Sequence, residues 1–453
     1  MTIVTSFCGL CLLVVLGKLA RVKIKLFQQL YLPSSVIGGI LGLIIIQVWG
    51  NALPTQWTAG WSKLPGFLIN IVFGALFLGV CIPRPSMIWK RAGPQLAHGQ
   101  IVAWGQYVVG LGLVLLVLGR IFKVPDIFGV IIPVGFEGGH GTAGGLRDTF
   151  TQLSWPEGSD FGLASPTAGI ISAIIAGIAL INWAARRGYV SGLRKSDLMT
   201  PEERAGLYPI DQRPSAGAQT TSADSVDSLA LHLAIIGIAV LIGYGIKFGL
   251  VTVERLVPGL SRVKIFAGFP LFPLCMIGGL VVQLFLSRFT KNSLVDHTLM
   301  QRLAGTALDF LVVAAISTIR LEVIARGIIP FLVVIAGGIL WNIFCVVWLA
   351  RRILPNCWFE RAIAEMGQSM GVTATGLLLL RAVDPEQKTE AASAFGYKQL
   401  LHEPLMGGGL WTSTAVLLVA QQGGWVVFGI SVLAIVMWLT VWRVFLRERK
   451  VYL

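Results

Sequence analysis

Long apolar runs separated by short basic clusters set the pattern of this chain. A helix that crosses a bilayer needs about 20 apolar residues. Five runs near that length lie in the first part, at 2–17, 33–50, 64–83, 95–119 and 161–185. Five more lie at 229–250, 269–287, 303–319, 327–350 and 401–420, and an eleventh follows at 425–442. No charge occurs between Leu405 and Trp442, so Gln421, Gln422, Gly423 and Gly424 mark the break inside that long run. The first run has neither a basic leader nor a small-residue cleavage site, and it reads as a membrane helix.

Two stretches fit poorly as lipid-facing spans. Residues 126–153 contain GFEGGHGTAGGLRDTF, and residues 362–382 contain AEMGQSMGVTATGLLLLRA. Both are Gly-rich and carry ionisable groups inside an apolar frame. Irregular backbone at membrane depth is tolerated only when buried in protein or lining a wet cavity. Both stretches are therefore expected to be re-entrant or broken helices.

Composition narrows the class. Of 453 residues, 55% are hydrophobic and 13% are charged. Soluble domains carry about 25% charged residues, so a polytopic all-α membrane protein is expected. The net charge of +14 does not mark a nucleic-acid binder. The Lys and Arg residues sit between apolar runs, where they set orientation. With the N-terminus outside and eleven spans, inside loops hold 22 of them and outside loops hold 9. The C-terminus is then cytoplasmic. The six cysteines mostly lie in or beside apolar runs and suggest no disulfide framework.

Residues 186–228 form the one long polar linker and divide the chain into halves. Residues 1–185 and 229–420 resemble each other. Pro33-Ser-Ser-Val-Ile37-Gly38-Gly39 recurs as Pro273-Leu-Cys-Met-Ile277-Gly278-Gly279, offset by 240, and Asn70 has Asp309 as its counterpart, offset by 239. Five spans is an odd number, so the second copy enters the membrane inverted. Inverted repeats and broken helices are the pattern of secondary transporters, with the binding site near the midplane. Residues 425–453, the extra span and its basic tail, fall outside the repeat.

The first constellation of chemical interest is Glu137-Gly138-Gly139-His140-Gly141-Thr142. Its glycines let backbone amides approach a carboxylate, Thr142 adds a hydroxyl, and ionisable groups in a membrane are costly enough to imply use. The competing reading is close helix packing through glycine. The second is Gly367 to Gly376. There Ser369, Gly371, Thr373 and Thr375 offer oxygen ligands suited to a small hard cation, or bond back to the preceding turn. Asp309, with its counterpart Asn70, calls for either a cation or a basic partner such as Arg320 or Arg381. Arg381 could clamp a substrate carboxylate or anchor the helix at the interface. Arg147 and Asp148 could pair with each other, and His98, His232 and His402 read as helix-end or packing residues rather than ligands. Glu403-Pro404 opens the tenth span.

These residues resemble the bacterial sodium/glutamate symporters. Gly138 to Thr142 is similar to that family's loop between spans four and five. Pro33 with Ile37-Gly38-Gly39 resembles the element opening its second span, Arg91-Ala-Gly93 its basic junction before the fourth, and Gly367–Gly376 its second-half loop. The likeness extends over roughly residues 1–420. It implies two inverted five-helix repeats, a homodimer in the inner or plasma membrane, and an elevator-like core carrying both loops. It implies sodium as the coupling ion and glutamate as the solute. Gly138, Gly139, His140, Gly141, Thr142, Thr373 and Thr375 then belong to the substrate and sodium region, with Glu137 and Arg381 beside the substrate and Asn70, Asp309, Ser369 and Gly371 as cation candidates. Glu137 stands where the family carries Ser, and the second loop is poorer in glycine. Another carboxylate or amino acid, coupled to a cation or proton, is the alternative. A lipid-acting membrane enzyme using Glu137, His140 and Asp148 is the rival of a different class. Neither a cofactor nor a nucleic-acid partner is expected.

Overall fold

Helices and their connections account for all described residues, with no strand among them. The computed structural model describes residues 2–29, 32–49, 55–80, 85–190, 207–208, 213–222, 224–256, 265–289, 294–384 and 388–446. Much of the predicted linker (191–206, 209–212 and 223), several loop arginines and lysines, and the basic tail from 447 lie outside them. Seven described helices are long and apolar enough to cross a membrane: Val4–Lys23, Ala92–Phe122, Glu157–Arg186, Ser228–Leu256, His297–Ser317, Ile328–Ile353 and Gly424–Leu446. Ser34–Trp49, Asp126–Phe136 and Phe272–Arg288 are shorter apolar helices. The chain is an all-α integral membrane protein.

The chain divides into two compact units. Unit 1 is drawn from 1–82, 144–159 and 201–319; unit 2 is drawn from 83–143, 160–200 and 320–453.

In unit 1, small residues set the helix contacts. Lipid is as apolar as a leucine side chain, so helices in a membrane associate through close packing and polar contacts. Gly38, in the Ser34–Trp49 helix, lies against the Leu13 carbonyl, and Gly278, in the Phe272–Phe289 helix, lies against the Ala239 carbonyl. The neighbouring glycines cross over between halves. Gly39 faces Ile316 of the second half, and Gly279 faces Gly74 of the first. The polar pair follows the same exchange: Cys275 Sγ donates to Asn70 Oδ1 at 3.7 Å, while Asp309 accepts from Ser35. The two P-x-x-x-I-G-G copies thus make matching contacts. Leu10, Leu13, Trp61, Val313 and Ala314 fill one cluster of this unit; Leu78, Ile236, Ala239 and Met300 fill another.

In unit 2, the Pro85–Leu113 helix continues through a π-helical turn at Val114–Leu118. The Ile328–Phe344 helix likewise passes into a π-helical turn at Cys345–Leu349. Each is followed by a broken helix. Asp126–Val130 is a 3₁₀ turn leading into Ile131–Phe136, and the chain restarts as Gly139–Gly145, with Gly139 at φ +68. The second break is inside Trp358–Val383, where Gly371 and Val372 leave helical geometry and Val372 takes φ 68, ψ 166. A β-branched residue there costs about 1–3 kcal/mol, so surrounding contacts must hold it.

The run read as 64–83 is the helix Thr55–Ala75, and the tenth expected span is divided. The helix expected from 401 begins at Ala391, stops at His402, and restarts at Leu410. Pro404 lacks an amide hydrogen, and Gly408 takes φ +93, so the helix cannot continue through 403–409. Lys398, which interrupts the apolar pattern before residue 401, lies inside the Ala391–His402 helix with its side chain fully buried. The predicted break near 421–424 is present: Gly423 takes φ +86, and the amide of Gly424 donates to Asp126 Oδ2 at 2.9 Å, capping the Gly424–Val441 helix.

Replacing Gly278 by Val forces a side chain into the Ala239 backbone. The expected cost is about 1–3 kcal/mol, read as a lowered thermal midpoint in detergent. The same change at Gly245, which has open space around it, should leave the midpoint within a degree or so.

Candidate functional site

Unit 2 holds a buried polar assembly built from both breaks. Three helices supply it. Gln95, Gly99 and Gln106 lie along one face of the Pro85–Leu113 helix. Glu365, Gln368 and Ser369 precede the break in Trp358–Val383, and Lys398, Gln399 and His402 form a polar face of Ala391–His402. All these polar side chains are at most 8% exposed.

Its centre is an ion pair. Lys398 Nζ lies 2.5 Å from Glu365 Oε1, and both side chains are wholly excluded from solvent. The ammonium donates further to Gln368 Oε1 at 3.0 Å and to Gln399 Oε1 at 2.9 Å. Gln95 Nε2 donates to the other Glu365 oxygen at 2.8 Å. Gly99 makes the room: a Cβ there would run into Lys398 Cε and Glu365 Oε1.

The two glutamines carry this arrangement to the breaks. Gln368 Nε2 donates to Glu137 Oε2 at 2.8 Å, and His402 Nε2 lies 3.0 Å from the same oxygen. Gln100 Nε2 donates to His402 Nδ1 at 3.3 Å, which leaves the ring proton facing Glu137. Gln399 Nε2 donates to Thr373 Oγ1 at 2.7 Å and to Glu403 Oε2 at 3.3 Å. Glu137 and Thr373, one from each break, are thus each a single side chain away from Lys398.

The other sequence-derived candidates fall as follows. Gly138 lies in the turn with Glu137 and Gly139 starts the next helix, and a Cβ at 139 would lie 2.6 Å from Val372 Cγ1, so the two breaks touch. His140 is buried beside Thr167, with Nε2 2.9 Å from its hydroxyl. Gly141 and Thr142 are buried, and Thr142 sits against Gly408. Ser369 donates to Asn342 Oδ1 at 2.6 Å, while Gln106 Nε2 donates to the Ser369 carbonyl at 2.6 Å. Thr375 bonds back to the carbonyl of Gly371. Among these candidates, Glu137 Oε1 and Thr142 Oγ1 are buried without a protein partner, as are Gln95 Oε1 and Gln106 Oε1 of the assembly.

Asn70 and Asp309 belong to unit 1 and do not share a compact unit with Ser369, Gly371 and Thr373. Asp309 is exposed on its helix, and Arg381 is exposed in the last turn of Trp358–Val383. Arg320, weighed as a partner for Asp309, instead holds Asp160 through Nε at 3.0 Å and Nη2 at 2.8 Å. Arg147 donates to the Ser62 carbonyl at 2.9 Å and to Thr318 Oγ1 at 3.2 Å.

Residues 1–384 match the sodium/glutamate symporter family. The chain belongs to that family. It is a multi-pass secondary transporter whose activity is sodium-coupled glutamate symport. A search of curated proteins found no match. The match takes in both breaks but stops short of the Ala391–His402 helix, which brings Lys398, Gln399 and His402 to the symporter's buried assembly.

Glu365, Gln368, Lys398 and Gln399 were not singled out from sequence, and His402 was read as packing. The signal was present in the spacing. Residues 365, 368 and 369, and residues 398, 399 and 402, each place polar groups on one helical face. Gly99→Val should break the buried ion pair. The expected loss of about 3–5 kcal/mol would be read as scattered, aggregated protein on size-exclusion chromatography, whereas Gly112→Ala, where the added methyl meets only the Phe428 ring at ordinary contact distance, should elute normally.

Proposed function

We propose that unit 2 is the carrier of the symporter and that its two breaks form the glutamate and sodium region. The observation that carries this reading is Glu137. One carboxylate at the first break is held by Gln368 from the arm before the second break and by His402 from the following helix, and it keeps its other oxygen free. Ionisable groups are expensive at membrane depth and mark the pathways of ions and substrates.

The chemistry suits an amino acid with two carboxylates. The unpartnered Glu137 oxygen accepts a cationic group, either the substrate ammonium or sodium. Thr142, with its unpartnered hydroxyl, and His140, with the amides of Gly139 and Gly141 at the start of the second arm, supply donors for carboxylate. Ser369, Gly371, Thr373 and Thr375 supply hydroxyl and carbonyl oxygens of the kind a hard cation prefers. Asn70, Asp309 and Arg381 are assigned supporting roles only, since two of them lie in unit 1 and Arg381 is exposed.

Transport proceeds by alternating access, with unit 2 moving as a body in an elevator-like step and unit 1 as the scaffold of a homodimer. The matching Gly38/Gly278 and Asn70/Asp309 contacts support two inverted five-helix repeats. The excess of basic residues in one set of loops supports an N-terminus outside and a C-terminus in the cytoplasm of a cell inner membrane. The favoured solute is glutamate; a related carboxylate or amino acid, or protons in place of sodium, is the second reading, favoured by Glu137 where the family has Ser.

Purified protein in liposomes should accumulate labelled glutamate under an inward sodium gradient. Uptake that ignores the gradient would reject sodium symport. Glu137→Gln and Thr142→Ala should each lower the rate at least about tenfold with normal expression, and unchanged uptake in both would remove the first break from the site. A competition panel of dicarboxylates and amino acids identifies the solute.

A further inference from the structure

Lys398 has the surroundings of a bound cation. Its ammonium meets oxygens from Glu365, Gln368 and Gln399, and these use all three of its protons. Both amide carbonyls point at it because their nitrogens are occupied elsewhere, by Glu137 and by Thr373 with Glu403. Glu365, Glu137 and Glu403 therefore surround a single ammonium, either directly or through one glutamine. A lysine ammonium is a compact, strongly solvated point charge, equal in charge to an alkali ion. It differs in the four-carbon stem that fixes it to the chain and in the three protons through which it meets its oxygens.

We propose that the Lys398 ammonium is a tethered substitute for an alkali cation, and that the oxygens of Glu365, Gln368 and Gln399 form a sodium site once it is removed. This rests on the reading of unit 2 as the carrier. Glu365 is then neutralised whether or not sodium is present, so the coupling ion acts at other oxygens of the breaks. The Lys398–Glu365 pair therefore adds no net charge to unit 2 in any state. The helix that bears the lysine lies beyond residue 384, where the family match ends.

The test uses full-length protein in detergent. Wild type, Lys398→Ala and the double variant Lys398→Ala/Glu365→Gln are compared in sodium chloride and in choline chloride of equal strength. Binding of radioactive sodium and the thermal midpoint are measured. Lys398→Ala should bind an additional sodium ion relative to wild type, and its midpoint should rise in sodium by at least about 3 °C more than wild type. The double variant should lose both effects, because the charge that holds the ion is gone. Recovery of folded Lys398→Ala in sodium but not in choline supports the same conclusion. Equal sodium binding in wild type and Lys398→Ala would overturn the proposal, as would extra sodium that persists in the double variant. A single variant that folds in neither salt while the double variant folds in both would also overturn it, leaving the lysine a structural partner of Glu365. Sodium-driven glutamate uptake by the wild type, measured in parallel, tests the carrier reading separately.

Discussion

Water cannot repair a broken helix inside a bilayer, so every polar group freed at a break must be met by protein. That constraint explains the organisation of unit 2. The carbonyl of Ser369, just before the second break, accepts the Gln106 amide, and Thr375 reaches back to Gly371. Glu137, at the first break, is held by Gln368 and His402. Gly139 supplies the left-handed turn that one break needs, and Val372 is forced into the same region at the other. What the helices lose in regular hydrogen bonding is returned by long amide side chains from their neighbours.

Charge is handled in the same way. An isolated carboxylate in such a place is prohibitively costly, and Glu365 is fully buried. Lys398 compensates it, and Gln368 and Gln399 spread the effect of one ammonium toward both breaks. Removing one partner of such a pair costs more than the pair is worth as an interaction, because the survivor is left bare. Hence the assembly is both a structural element and a place where an ion of like charge could be exchanged. Glu137 Oε1 and Thr142 Oγ1, like Gln95 Oε1 and Gln106 Oε1, are buried without a protein partner.

Much of this was visible in the chain itself. Apolar length picks out Val4–Lys23, Glu157–Arg186, Ser228–Leu256 and Gly424–Leu446, because a spanning helix leaves a composition signal that does not depend on its neighbours. GGHGT and GVTATG stand out for the opposite reason, as glycine and ionisable groups in an apolar frame. The Ala391–His402 helix was missed because a lone lysine beside an apolar run looks the same whether it anchors at the interface or is buried against a carboxylate more than thirty residues away. The partner decides, and sequence spacing does not reveal it. Asp309 shows the reverse: a carboxylate in an apolar run calls for a cation or a basic partner, yet it is exposed on the helix and accepts from Ser35.

The account turns on the two breaks meeting within one unit. Cysteines at positions 139 and 372, in a chain otherwise free of cysteine, measure that directly in membranes. Mild oxidation should join them, and sodium with glutamate should slow the reaction. Thiols that never cross-link, with or without ligand, would contradict it.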